Sequence, residues 1–149
     1  MPPCADQQSD VVVGVLWALE PWAAAHPEFV VGGNEVGMVL GGETRGADAA
    51  VWRRDRVGAS TGKYRRVPPV LAIEVAGTDE GESELRQKAV WYLGHGVTVV
   101  WLVMPETREV IILRAGAESR HGREELLPAH PELPELRPSV AAIFRQLAM

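Results

Sequence analysis

The chain contains a single cysteine, Cys4, among its 149 residues. One thiol excludes an internal disulfide and a metal cluster built from several thiolates. Proteins without disulfides are typical of reducing compartments, so we expect a cytoplasmic protein. Its stability must then come from a packed core, and this length is enough for one domain with such a core.

Long apolar runs are also absent. Residues 11–19 are apolar but fall far short of the ~20 residues that cross a bilayer, and Glu20 and Pro21 end the run. The residues before it include Asp6 and Asp10 but no Lys or Arg, unlike the start of a secretory signal. We therefore expect no membrane partner.

Three common kinds of site lack the residues that they need. The glycine-containing stretch 41–46 has neither the lysine nor the following helix of a phosphate-binding loop. The four histidines are scattered, without the spacing of a metal site. Ser60 and Ser83 have no histidine nearby in the sequence, so serine hydrolysis has no support.

The charge is unevenly distributed. The whole chain carries −5, but residues 44–67 hold seven basic and two acidic side chains, a net charge of +5. Lys and Arg gain free energy by neutralising phosphates and releasing counterions. This basic segment therefore suits a nucleic-acid backbone, with Arg53, Arg54 and Arg65 as candidate contacts. A solvated loop with exposed charge is an equally simple interpretation.

Two carboxylates lie beside apolar strands. Residues 70–76 form an apolar run that carries Glu74 near its end, and Asp48 lies near the start of the run 46–52. Burying a carboxylate there is costly unless it is paired, protonated or bound to a metal. A polar loop and a predicted helix follow Glu74, and Lys88 on that helix can return towards the end of the strand. Two acids and a lysine at one strand end are typical of a metal-dependent phosphodiester site.

The chemistry of these residues favours a hard divalent cation. Asp48, Glu74 and the backbone carbonyl of Val75 are oxygen donors of the kind that Mg²⁺ or Mn²⁺ prefers. Such an ion polarises a phosphoryl oxygen and lowers the pKa of a water molecule. Lys88 beside it can orient that water or offset charge on the phosphate.

Each of these residues also has a purely structural interpretation. Glu74 fits a strand-end acid that bonds a neighbouring loop, and Asp48 after a Gly-Ala pair fits a turn. Lys88 lies four residues after Glu84 and fits a surface ion pair on one helix face. The order of the three residues, rather than any one of them, favours the site.

The overall pattern predicts an α/β (mixed α+β) fold, a central mixed β-sheet flanked by helices. We expect a disordered leader at 1–9 and a single domain over 10–149, with Asp10 capping a helix that runs to about residue 25. Gly32-Gly33-Asn34 predicts a hairpin. The predicted strands are 29–31, 36–40, 47–53, 70–76, 97–103 and 109–114, and the further helices are 82–94, in a right-handed parallel crossover, and one capped by Ser139.

Four stretches carry a family resemblance: GADAAV (46–51), PPVLAIEVA (68–76), ELRQKAVWYLGHGV (84–97) and VWLVMPETREV (100–110). On these stretches the chain resembles the Uma-two family of small bacterial restriction-endonuclease-like proteins, within the PD-(D/E)XK nuclease superfamily. Two positions depart from the family pattern, with Ala47 in place of a proline and Met104 in place of an aspartate.

The resemblance implies a restriction-endonuclease-like fold in which Asp48 and Glu74 bind the metal. It also implies that the catalytic lysine has moved from the strand, where Ala76 stands, to the helix, where Lys88 stands. The resulting hypothesis is an Mg²⁺- or Mn²⁺-dependent endonuclease that hydrolyses DNA, working as a homodimer if it cuts both strands. The alternatives are an inactive nuclease-fold protein that binds DNA or a partner protein, and a structural module whose acids only pair with Lys88.

Overall fold

The main sheet has six strands, and a separate two-stranded sheet packs beside it. The computed structural model describes residues 3–147. The helices are α1 (Asp6–Ala25), α2 (Arg54–Val57), α3 (Glu82–Gly94) and α4 (Val140–Ile143), followed by a 3₁₀ turn at Arg145–Leu147; the strands are β1 (Phe29–Gly32), β2 (Val36–Leu40), β3 (Glu43–Ala47), β4 (Ala49–Arg53), β5 (Leu71–Val75), β6 (Val99–Met104), β7 (Glu109–Arg114) and β8 (Ala117–His121).

The main sheet is mixed. Its order is β1-β4-β5-β6-β7-β8, and β5 pairs with β6 in parallel while the other neighbours are antiparallel. The parallel pair is joined through α3, as the strand–helix–strand pattern predicted. The predicted central mixed sheet flanked by helices is confirmed.

The two faces of the main sheet have separate apolar cores. Helices α1 and α4 cover one face, where alternate residues of β5 such as Leu71 and Ile73 point. Helix α3 and the small sheet cover the other face, with Ala72, Leu85 and Met38 among the buried residues. Because side chains alternate along a strand, Glu74 lies on the α3 face. Glu74 therefore belongs to the layer formed by α3 and the small sheet.

The N-terminal prediction needs correction. Helix α1 begins at Asp6, so residues 6–9, which were assigned to a disordered leader, form its first turn. The N-cap is Ala5 rather than Asp10, without a side-chain cap. The helix continues through Pro21 to Ala25. The part of the leader at residues 1–2 lies outside the described residues. No helix within residues 3–147 is long and apolar enough to pass through a membrane.

The predicted hairpin between residues 29–31 and 36–40 is wrong. Strand β1 pairs with β4, and β2 pairs with β3 in the small sheet. Asn34 and Glu35 both have a φ of 57°, and this left-handed pair turns the chain away from the main sheet. The tight turn is instead Gly41-Gly42, where φ is 59° and 80°, which matches a two-residue type I′ loop between paired residues Leu40 and Glu43.

The predicted strand 47–53 is divided in two. Strand β3 ends at Ala47, β4 begins at Ala49, and Asp48 is the single residue between them. Within the basic segment 44–67, residues 54–57 form the one-turn helix α2. Ser139 caps α4 as predicted, accepting a hydrogen bond from Ala142 N–H.

The contact between α1 and α4 generates a stability prediction. A Cβ atom on Gly14 would lie 2.0 Å from the carbonyl oxygen of Ile143. Gly14→Ala must therefore separate the two helices, and we expect a loss of about 1–3 kcal/mol of unfolding free energy. The matched control is Gly94→Ala, because a Cβ there meets nothing within 4 Å. Urea denaturation of both variants measures the difference, and equal stabilities would contradict the prediction.

Candidate active site

Glu74 is a buried carboxylate with two side-chain partners. It is 4% exposed and lies at the C-terminal end of β5, beside Leu102 of the parallel strand β6. The Tyr92 hydroxyl donates a hydrogen bond of 2.6 Å to Oε2, and the Lys88 ammonium donates one of 3.4 Å to Oε1. Both donors project from α3, one turn apart, which explains why they reach the same carboxylate.

Asp48 lies across from Glu74 and is 7% exposed. The register between β4 and β5 ends at Ala49 opposite Ile73, which places Asp48 next to Glu74. The Val75 N–H donates a hydrogen bond of 2.7 Å to Asp48 Oδ2. The Asp48 carboxylate thus accepts the hydrogen bond from Val75 that a backbone carbonyl would accept if β4 continued.

Lys88 is held by two acids. Its Nζ donates to Glu80 Oε2 at 2.7 Å and to Glu74 Oε1 at 3.4 Å, and its side chain remains 42% exposed. Glu80 also accepts the Gly77 N–H at 2.9 Å, which anchors its carboxylate at the end of the loop after β5. The structure therefore brings together the three residues that the sequence predicted, Asp48, Glu74 and Lys88.

Burial dominates the electrostatics of the acid pair. It raises the pKa of Glu74 to about 7, and the charge of Asp48 adds to this while Lys88 opposes it. It also raises the pKa of Asp48 to about 6, against the hydrogen bond from Val75. Burial pushes the pKa of Lys88 down, but the charges of Glu74 and Glu80 outweigh this and raise it. One cation thus only partly compensates the closely spaced carboxylates.

The donor set fits a small divalent cation. Asp48 and Glu74 offer oxygen atoms, and burial raises the pKa of both by disfavouring their charged forms, a cost that a bound cation would offset. Within residues 3–147 no group of three or more His, Cys, Asp or Glu side chains is arranged to hold a metal ion. Mg²⁺ commonly binds through one or two carboxylates and keeps several waters, so two carboxylates suffice.

The carbonyl of Val75, also predicted as a metal ligand, has a protein partner. Gln8 Nε2 donates a hydrogen bond of 3.0 Å to it. The carbonyl oxygen has a second lone pair, so its role as a ligand stays a prediction. Gln8 gave no sequence signal because it lay in the segment predicted to be disordered. Tyr92 was visible only as a residue four positions after Lys88 on the same helix face.

The predicted nucleic-acid contacts are not gathered at this site. Arg53 and Arg54 lie at the opposite end of β4 from Asp48, about 17 Å away for five extended residues. Arg53 bonds Asp55, and Arg54 bonds the carbonyls of Pro27 and Phe29. Arg65 pairs with β2 through backbone bonds to Gly37 and Val39 and lies over the buried ring of Trp52.

A different arginine lies in the cleft. The cleft next to the acids has a volume of about 420 Å³ and is lined by Arg45, Gly46, Glu74, Glu84, Gln87, Lys88, Trp91 and Tyr92. Arg45 is on β3, three residues before Asp48. In the sequence it is one of seven basic residues in the segment 44–67, and no local pattern distinguishes it from the others.

A family model described as "Putative restriction endonuclease", Uma2, matches residues 1–144 of the chain. The chain belongs to the Uma2 family. A crystal structure of "a putative nuclease belonging to DUF820 from Anabaena variabilis ATCC 29413" matches with a TM-score of 0.84 and 17% sequence identity, over 98% of this chain and 84% of that one. At that identity the match establishes the fold, which is the predicted restriction-endonuclease-like one. A comparison with curated proteins gives no significant match.

The raised pKa values of this Uma2 member predict a pH-dependent stability in the absence of metal. Asp48 and Glu74 bind protons more tightly in the folded than in the unfolded chain. Their contribution is thus largest at low pH and is lost as the pH rises from about 4 to 7. In EDTA, we expect Glu74→Gln to reduce the decrease in unfolding free energy over this pH range by on the order of 2 kcal/mol.

Urea unfolding at pH 5, 6, 7 and 8, followed by tryptophan fluorescence, measures this effect. Glu20→Gln is the matched control because Glu20 is exposed on α1. The same pH dependence in Glu74→Gln and in the wild type would show that burial does not shift the Glu74 titration.

Proposed function

We propose that this protein is a divalent-metal-dependent endonuclease that hydrolyses DNA phosphodiester bonds. The observation that supports this most directly is the convergence of Asp48, Glu74 and Lys88 at the end of β5, where Glu74 and Lys88 line an open cleft. Membership of a family described as restriction endonucleases supports the same reaction. In open α/β sheets, ligands bind at the carboxyl ends of the strands, which is where this cleft lies.

Asp48 and Glu74 would hold Mg²⁺ or Mn²⁺. When bound, such an ion supplies Lewis-acid activation of water and of the phosphodiester. Tyr92 keeps the Glu74 carboxylate in a fixed orientation through its 2.6 Å hydrogen bond. Burial raises the pKa of Tyr92, so this hydroxyl stays protonated and remains a donor.

Lys88 would orient the attacking water or offset charge that develops on the phosphate. Its ion pair with Glu80 holds the ammonium at the cleft mouth, and its partial exposure leaves room for substrate.

The basic segment 44–67 gives a positive surface for the DNA backbone. One such site per chain cuts one strand, so double-strand cleavage would require a homodimer.

Cleavage of supercoiled plasmid at low salt tests the proposal. We expect nicking with Mg²⁺ or Mn²⁺, none with EDTA, and at least a hundredfold loss in Glu74→Gln, since the variant lacks a charged metal ligand. Glu20→Gln is the control, about 18 Å along α1 from the Gln8 contact to the site. Cleavage that survives in Glu74→Gln would contradict the assignment. DNA binding without any cleavage would favour the inactive nuclease-fold alternative.

Lys88→Met separates a catalytic from a structural role. The half-exposed ammonium contributes modestly to stability, so we expect a loss of about 1 kcal/mol or less. Cleavage should nevertheless fall by at least tenfold, because the group that orients water is gone. Thermal unfolding and plasmid nicking on the same preparation measure both quantities. A large loss of stability with unchanged specific activity would favour the structural interpretation of the acid cluster.

A further inference from the structure

Arg45 has a prepared position beside the acids. Residues 43, 45 and 47 of β3 share the face that packs towards α3, because side chains alternate along a strand. The Arg45 guanidinium lies over the ring of Trp91 on α3, 4.8 Å from its centre. The cleft that contains Glu74 and Lys88 opens directly beside this pair.

Trp91 is itself held in place from two other directions. Its ring stacks on His95 at a centroid distance of 4.2 Å. Its indole N–H donates a hydrogen bond of 2.8 Å to Glu43, which precedes Arg45 by two residues on β3. With His95 on one side and Arg45 packed on the ring, the indole is not open for stacking on a base. Trp91 therefore acts as a platform for the arginine.

The guanidinium of Arg45 keeps its hydrogen-bonding capacity. Within residues 3–147 it makes no hydrogen bond, and its ion pair with Glu43 is long, at 4.0 Å. Six other arginines are bound to protein acceptors at 2.8–3.4 Å; these are Arg53, Arg54, Arg86, Arg108, Arg114 and Arg120. The Arg45 side chain is half exposed and lines the cleft that contains Glu74 and Lys88.

Arg45 is also close to Arg65, one of the arginines that the sequence predicts to contact nucleic acid. Met38 of β2 pairs with Arg45 on one side and with Arg65 on the other. The two arginines are thus separated by two strand spacings, about 10 Å. A guanidinium binds phosphate through two parallel hydrogen bonds, which gives orientation as well as affinity.

We propose that Arg45 binds a backbone phosphate of the DNA next to the scissile one, and that Trp91 and Glu43 position its guanidinium. This inference rests on the proposed function for the identity of the substrate. In this proposal Arg45, rather than Arg53 or Arg54, is the arginine that contacts DNA nearest to the scissile phosphate. Trp91 is a positioning residue, since it acts through the arginine.

Binding of fluorescently labelled duplex DNA in EDTA, followed by anisotropy over a range of KCl concentrations, tests the proposal without requiring cleavage. Arg45→Ala should weaken binding about tenfold at low salt. It should also reduce the slope of log K against log salt by about one. Arg45→Lys should keep the slope but recover only part of the affinity, because an ammonium cannot bind in the bidentate manner.

Arg137→Ala is the matched control. It removes the same charge from an exposed position next to Leu136, which packs in the core on the opposite face of the main sheet. Trp91→Phe should bind DNA like the wild type because it keeps an aromatic platform, whereas Trp91→Leu should weaken binding and keep the salt slope. Thermal unfolding checks that each variant is folded.

The outcomes separate this proposal from the proposed function. Equal binding by Arg45→Ala and Arg137→Ala overturns it, and so does a wild type that does not bind duplex DNA at low salt. Binding that depends on Arg45, in a protein that does not nick plasmid with Mg²⁺ or Mn²⁺, supports it and rejects the nuclease. Nicking by the wild type that Arg45→Ala does not change supports the nuclease and rejects the role proposed for Arg45.

Discussion

The hydrogen bond from Val75 N–H to Asp48 is the interaction on which the site depends. The chain leaves the small sheet at Ala47 and enters the main sheet at Ala49, so Asp48 is the junction between them. By accepting the N–H at the end of β5, its carboxylate replaces the strand carbonyl that is missing there. The same bond places one acid beside Glu74 and orients β3, which carries Arg45, towards α3. The candidate site is thus centred on the point where strand pairing is interrupted.

Around this bond the protein tolerates an excess of negative charge. Asp48 and Glu74 are buried close together, Glu80 lies at the rim, and Lys88 bonds Glu74 and Glu80. Burial without full compensation raises the pKa of both buried acids, as often occurs at functional sites. The supporting bonds from Tyr92 and Gln8 come from helices on opposite faces of the sheet. Both layers therefore contribute to the geometry of one strand end.

Local sequence patterns predicted much of the central sheet. Strand β6 is a continuous apolar run, and β5 is apolar apart from Glu74, because both faces of the sheet are covered. Helix α3 between them has clear ends, so their parallel pairing was predictable. The pairing of β1 was not, because the Gly-Gly-Asn signal marks a turn without identifying the partner strand. The basic segment was also misleading. Charge composition does not distinguish Arg54, which bonds backbone carbonyls, from Arg45, which lines the cleft.

The order of residues by itself determined the three chemical groups of the candidate site, since an acid inside an apolar strand and a lysine on the crossover helix are local features. It also determined the fold class, through the periodicity of the strands and of α3. Only the tertiary structure decided which further residues join them. Gln8 and Tyr92 lie 67 and 18 positions from Val75 and Glu74, which they bond. Arg45 lies 46 positions before Trp91, on whose ring it packs. Their convergence depends on sheet register and on the packing of α1, α3 and β3, which are long-range contacts that no local pattern encodes.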